Sequence, residues 1–182
     1  MSDIFLHGIQ NVTVDDGARP ITTVRSSTIG LIGSAPDADP LTFPLNKPVL
    51  IAGSRTLAAK LGETGTLPQA LDSIFDQIGA VVIVVRIDEE ETAPATLANV
   101  IGGVDANTGT YEGVHAFLAS ENITGFVPKI LIAPGFTHTR TEAVGETPAT
   151  SNPVVAELIG IAERLKAVIV ADGPNTNDAD AI

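Results

Sequence analysis

The chain contains no cysteine and no tryptophan, and aromatic residues make up only 4% of its 182 positions. Disulfides and thiolate chemistry are therefore excluded, although the redox compartment is left open. A core built without tryptophan must be aliphatic, drawn from Val, Ile, Leu and Ala. Basic residues are also scarce: 10 Lys and Arg stand against 22 Asp and Glu, a net charge of −12. They are scattered singly, the two nearest being Arg164 and Lys166. Phosphate-rich partners require clustered cations, so neither nucleic acid nor an anionic membrane surface is an expected partner. The longest apolar run, Ala80–Val85, is far too short to cross a bilayer. Met1-Ser2-Asp3 opens without the basic, then apolar, pattern of a signal peptide, which leads us to expect a soluble protein made in a cytoplasm.

Several catalytic signatures are missing as well. No two of the 17 glycines stand at i and i+2, so a G-x-G-x-x-G dinucleotide loop cannot be drawn. There is no Gly-Lys pair for a phosphate-binding P-loop, and Ser34 after Gly33 lacks the rest of a nucleophile elbow. His7, His115 and His138 are far apart and belong to no H-E-x-x-H pattern. No catalytic, cofactor-binding or metal residue is expected on these grounds.

Helix and strand signals do alternate. Ile21–Ile32 reads as a strand, followed by a loop punctuated by Pro36, Pro40, Pro44 and Pro48 and a short strand at Val49–Ala52. Ser54 is positioned to cap a helix through Leu57 and Leu61 that Gly62 closes. Thr66-Leu67-Pro68-Gln69 fits a capping box, and Leu67, Leu71, Ile74, Phe75 and Ile78 fall on one helical face before Gly79. Ala80–Ile87 follows, apolar on both faces as a buried parallel strand is. The unit recurs twice: a helix around Tyr111, Val114, Phe117 and Leu118 before the strand Lys129–Ala133, and a helix opened by Asn152-Pro153 before Ala167–Ala171. This alternation predicts an α/β fold, a mostly parallel sheet flanked by helices. At this length one body of ordinary size can bury roughly 70% of its unfolded surface.

Two polar features invite a functional reading. Asp88, His138 and Asp172 each follow the carboxyl end of a predicted parallel strand, where ligand sites of such sheets lie. Together they would make a divalent-metal or hydrolase site in a small α/β enzyme or ligand-binding domain. Polar residues also end buried strands simply because the backbone must return to water there. Asp88-Glu89-Glu90-Glu91 could bind a cation, or form a solvated loop before a helix near Pro94. The Thr-rich stretch 137–150 is long for an α/β connection and suggests a lid or contact surface.

The amino-terminal 20 residues carry a different message. Val12 and Val14 alternate with polar residues in strand fashion, and Gly17 and Pro20 interrupt the pattern before Ile21. About 20 extended residues reach roughly 65 Å. Residues 1–20 are expected to form an extended β arm with a hinge, and residues 21–182 the body. An isolated strand needs a sheet edge to join.

His7-Gly8, Val12, Val14, Gly17-Ala18-Arg19, Ile21, Ser27 and Ile29-Gly30-Leu31, taken in order, resemble the amino terminus of tail sheath proteins of contractile-tailed bacteriophages and phage-tail-like bacteriocins. The resemblance implies a structural subunit polymerising helically around an inner tube, with Val12, Val14, Gly17, Arg19, Pro20 and Ile21 in the intersubunit arm. It implies as partners identical sheath subunits, the inner tail tube protein, and the baseplate and tail terminator at the ends. The implied location is the virion tail, assembled in the host bacterial cytoplasm. Sheath proteins are considerably longer, so the carboxy-terminal part of the fold is expected to be missing. Asn175–Ile182 reads as a helix N-cap and first turn. An adaptor or terminator-like protein that docks once is the other structural alternative.

Overall fold

A computed structural model describes residues 27–139 and 151–173. The arm residues Val12, Val14, Gly17, Arg19, Pro20 and Ile21 lie outside them, as do most of the Thr-rich stretch and Asn175–Ile182. Among the described residues, seven strands form two sheets. The main sheet has the order β2-β3-β1-β6-β7, built from β1 (Ile29–Ser34), β2 (Pro48–Ala52), β3 (Val81–Ile87), β6 (Ile130–Ile132) and β7 (Val168–Val170). β3, β1, β6 and β7 run parallel, with Leu31 aligned on Val84 to one side and Ile132 to the other. β2 is an antiparallel edge on β3. The expected mostly parallel α/β sheet is present.

Two apolar layers sandwich the sheet. Ile32, Ile83, Val85, Ile87 and Leu131 point to one face, which is covered by α3 (Ala93–Ile101), a 3₁₀ stretch (Gly113–Ala119) and α5 (Pro153–Leu165). Leu31, Ile51, Val82 and Val84 point to the other, under α1 (Arg55–Ala58) and α2 (Thr66–Gln77). At its two glycines β1 is approached so closely, once on each face, that a side chain would not fit. A Cβ on Gly30 would stand 2.9 Å from Phe117, Leu131 and Pro128, and one on Gly33 would stand 2.2 Å from Thr66 Oγ1.

Several local expectations hold. The Ser54 hydroxyl accepts from Leu57 N at 3.3 Å, and Gly62 closes the following 3₁₀ turn Ala59–Leu61. Asn152 caps α5, accepting from Val154 N and Val155 N. Others are corrected. The capping box at Thr66 does not form, because Gly65 at φ +95° holds the cap position and Thr66 is already helical. Thr66 instead exchanges bonds with the end of β1, accepting from Ser34 N at 3.2 Å and donating its amide to Ser34 Oγ at 3.4 Å. Ile78 is extended and 68% exposed, since α2 ends one residue before it.

The helix expected from Tyr111 begins later. Tyr111–Glu112 (β5) pairs with Gly103–Val104 (β4) in a small hairpin. Gly113, at φ +58°, then turns the chain where any Cβ would meet Val100 O at 2.4 Å. Val114, Phe117 and Ser120 are buried at a spacing of three, which suits the 3₁₀ geometry that precedes α4 (Ser120–Thr124).

Overpacking at β1 gives a direct test. Gly30→Ala is expected to lower unfolding stability by about 1–3 kcal/mol, read from the urea midpoint, because its contacts are fully buried carbon atoms. A second expectation concerns Asp39, whose carboxylate is held below its ordinary range first by the Thr42 hydroxyl and then by the Leu41 amide and nearby Lys60. A depressed carboxylate stabilises the fold above its unfolded pKa and loses that contribution as pH falls through the folded value. Asp39→Asn is therefore expected to lose less thermal stability than the parent as pH is lowered below about 4, read from melts across that range.

Candidate functional site

The carboxyl ends of β1, β3 and β6 open onto a groove of about 630 Å³. Ser34 and Thr66 form its floor, the acidic run Glu89–Glu91 one wall, and Phe136 and His138 the other. The acids are exposed, and their loop is fastened by its backbone. Thr96, buried in α3, accepts from Glu90 N at 3.0 Å and stands 3.3 Å from Glu90 O. This places the carboxylates near the amino terminus of α3, where the helix dipole favours negative charge. A solvated acidic loop before a helix at Pro94 is what the structure contains.

The other wall is built by two side chains that bind backbone. Asp172 Oδ2 accepts from Gly135 N at 2.8 Å and from the Thr137 hydroxyl at 3.0 Å, while its own amide donates to Thr137 Oγ1 at 2.8 Å. Asn152, 5% exposed, uses its carbonyl to cap α5 and its amide group to bond Phe136 O and Thr139 O, each at 2.9 Å. Residues 134–139 are thereby clamped between β7 and α5.

Asp88, His138 and Asp172 are not brought together. His138 lines the groove, whereas Asp88 lines a separate depression with Asn46, Asn99 and Glu112, and its carbonyl accepts from Asn99. Asp172 is engaged in the clamp. The order β3-β1-β6-β7 sets the strands of Asp88 and Asp172 three spacings apart, roughly 14 Å. Metal ligands must lie near 2 Å from one shared ion. Among the described residues no group of three or more His, Asp or Glu side chains has a metal-holding arrangement.

Sequence reasoning missed the clamping roles of Thr66, Thr96, Thr137 and the amide group of Asn152. Asn152-Pro153 signals a helix start, but nothing in the local pattern announces bonds to residues 13 and 16 positions earlier. Asn152→Ala is expected to lower stability by about 2–3 kcal/mol, combining a lost cap with two orphaned carbonyls. Asn152→Asp should recover the cap part alone, which urea titrations of both variants would resolve.

Residues 26–87, from just before β1 through β3, match the family model for the tail sheath protein Gp18 domain III N-terminal region. The chain is 45% identical over 141 residues, 74% of its length, to the tail sheath protein of Escherichia phage P2. It is 36% identical to the major tail sheath protein of Serratia phage KSP20 over 92% of its length. It is 35% identical over 98% of its length to a prophage major tail sheath relative from Pseudomonas aeruginosa strain UCBPP-PA14. The chain spans less than half the length of these relatives: 35%, 40% and 43% respectively. Over the part it spans, the chain belongs to the tail sheath protein family.

Proposed function

We propose that this chain is part of the structural subunit of a contractile phage tail sheath, not an enzyme. The observation that carries the reading is sequence identity to tail sheath proteins along nearly the whole chain, with one relative matching over 98% of it. The chemistry of the rim supports it. Asp172 and Asn152 are committed to holding the protein's own loop, and Asp88 and His138 face different depressions.

In this reading identical subunits assemble as a helical array around an inner tube, bounded by a baseplate and a terminator, within the virion tail. Assembly takes place in the host bacterial cytoplasm. Contraction is a passage between two lattices of the same bodies, from a metastable extended form to one with more contact between bodies, and it drives the tube through the target envelope. The acidic balance of the chain suits a wall that makes no contact with nucleic acid or membrane.

Val12 and Val14 are the pairing residues of the proposed arm, and Gly17 to Ile21, including Arg19 and Pro20, supply its hinge. Backbone pairing with a neighbour's sheet tolerates reorientation of the bodies while the tether stays bonded. Val12→Pro with Val14→Pro removes two backbone donors. In the complete gene product the double variant should lose tube formation, judged by negative-stain electron microscopy, while its circular dichroism melt stays unchanged. Tubes in normal yield would overturn the arm assignment.

A further inference from the structure

Among the described residues one buried side-chain polar atom has no hydrogen-bond partner, the hydroxyl of the fully buried Ser120. Such an orphan is costly and rare in native folds. Ser120 stands where the 3₁₀ stretch Gly113–Ala119 meets α4, and its amide donates to Phe117 O, three residues back. Two hydroxyls within the α-helices behave otherwise. Ser73 in α2 donates to Gln69 O at 2.8 Å, and Thr124 in α4 donates to Ser120 O at 2.7 Å, each reaching the carbonyl four residues back. The equivalent carbonyl for Ser120 belongs to Ala116. It lies inside the 3₁₀ stretch, whose tighter winding carries it out of reach.

The stretch is also long for its type. Its seven residues exceed the usual limit of about four, which reflects the poorer hydrogen-bond geometry of 3₁₀ winding. Packing holds it in place. Val114, Phe117 and Ser120, three apart, are all fully buried, and Phe117 fills space that Gly30 leaves by lacking a Cβ. An α-helix advances about 100° per residue and a 3₁₀ helix about 120°. With Phe117 fixed, a change to α winding therefore rotates positions three residues away by about 60°. Val114 then leaves the core on one side, while Ser120 turns off the buried face with Ala116 O within reach. The two side chains pull in opposite senses. Burial of Val114 favours the 3₁₀ form, and the hydroxyl of Ser120 favours the α form.

We propose that residues 113–124 are a two-state element, with 3₁₀ winding up to Ala119 in the state described and a continuous α-helix in a second state that Ser120 stabilises. The inference does not rest on the tail sheath reading. The fastenings of the segment give the exchange a mechanical consequence. At its start, Gly113 N donates to Asn46 Oδ1 at 3.0 Å, on the loop before β2, and His115 Nε2 lies 2.9 Å from Glu157 Oε1 on α5. At its end, α4 lies against β2. Rewinding the seven residues from a rise of about 2.0 Å to one of about 1.5 Å shortens the segment by about 3–4 Å. Residues 125–128, a connector without helix or strand, take up the change. It opens with Gly125 at φ +73°, where a Cβ would meet only open space. Winding thus slides α4 along β2 while Asn46 and Glu157 hold the start of the segment, which couples the β2 edge to α5.

Exchange between such states falls in the microsecond-to-millisecond range that amide relaxation dispersion reads. In the isotope-labelled chain, dispersion is expected across 113–128 and not across α2 or β3. Ser120→Ala deletes the one atom that favours the α form. It should lower the minor-state population by about five- to tenfold and raise the melting temperature by about 2–4 °C, since the orphan goes with it. Val114→Ala weakens the 3₁₀ form and should raise the same population by at least about fivefold, with nuclear Overhauser contacts between Ala116 and Ser120 marking the α winding. Thermal melts verify that both variants fold, and the Ser120→Ala comparison decides alone if Val114→Ala does not. A parent without dispersion in this segment overturns the proposal. So does dispersion that Ser120→Ala leaves unchanged, because a rise in melting temperature alone would make the hydroxyl a static packing defect.

Discussion

Everything in this fold depends on burying β1 from every side at once. The strand has parallel neighbours on both edges and is covered on both faces, and every residue from Gly30 to Ser34 is buried. Parallel strands in that position read as continuous apolar runs, and β1 is compressed further. Glycine at 30 admits Phe117 and Leu131 on one face, and glycine at 33 admits Thr66 and Leu67 on the other. Aromatic scarcity and glycine placement are thus linked. With few rings to fill volume, tight packing is reached by bringing elements closer together, and only a missing Cβ permits that distance.

The same closeness explains the polar chemistry around the sheet. A strand that ends inside the molecule leaves its terminal backbone groups near apolar walls, where an unpaired donor or acceptor is costly. Ser34 and Thr66 settle this at the end of β1, Thr96 beyond β3, and Asp172, Thr137 and Asn152 beyond β6 and β7. Each bond goes to backbone or to another clamping residue. The rim resembles a ligand site in composition because both tasks call for short polar side chains at strand ends. It differs in direction: these groups point along the loops they hold, and the acids that do face the groove are solvated.

How much could be read beforehand follows from the range of each determinant. α5 and β3 were legible because their signals are local: an Asn-Pro cap with a 3.6-residue apolar stripe, and a run apolar at every position. The parallel sheet followed from alternation alone. Errors arose where a distant partner decided the outcome. Thr66 looks like a cap from its neighbours, yet Ser34, 32 residues earlier, completes that turn, and Gly65 takes the cap position. Tyr111 looks helical until the α3–hairpin junction makes Gly113 a turn that no side chain could occupy. Asp88 and Asp172 share a rim in one dimension, and only the strand order, which inserts β1 and β6 between their strands, separates them. The polarity of the rim was visible in sequence; its convergence was a question of topology.

The two sheet edges also bear on how a sheath could be made from this body. β2 opens with Pro48, which cannot donate to a further strand, and it reverses the direction of the sheet. Among the described residues no strand pairs with the outer edge of β7, whose Val168 and Val170 are exposed. If copies paired edge to edge through β7, the contact would be the same patch on both subunits, and such a contact closes at two. A helical tube needs a heterologous contact that leaves a fresh acceptor at each step. The described sheet offers only one edge suited to extension, so β7 pairing alone cannot propagate a lattice. The proposed sheath therefore calls for a contact between two different surfaces of the subunit. A donated arm, as proposed above, would meet that requirement because donor and acceptor are different parts of the chain.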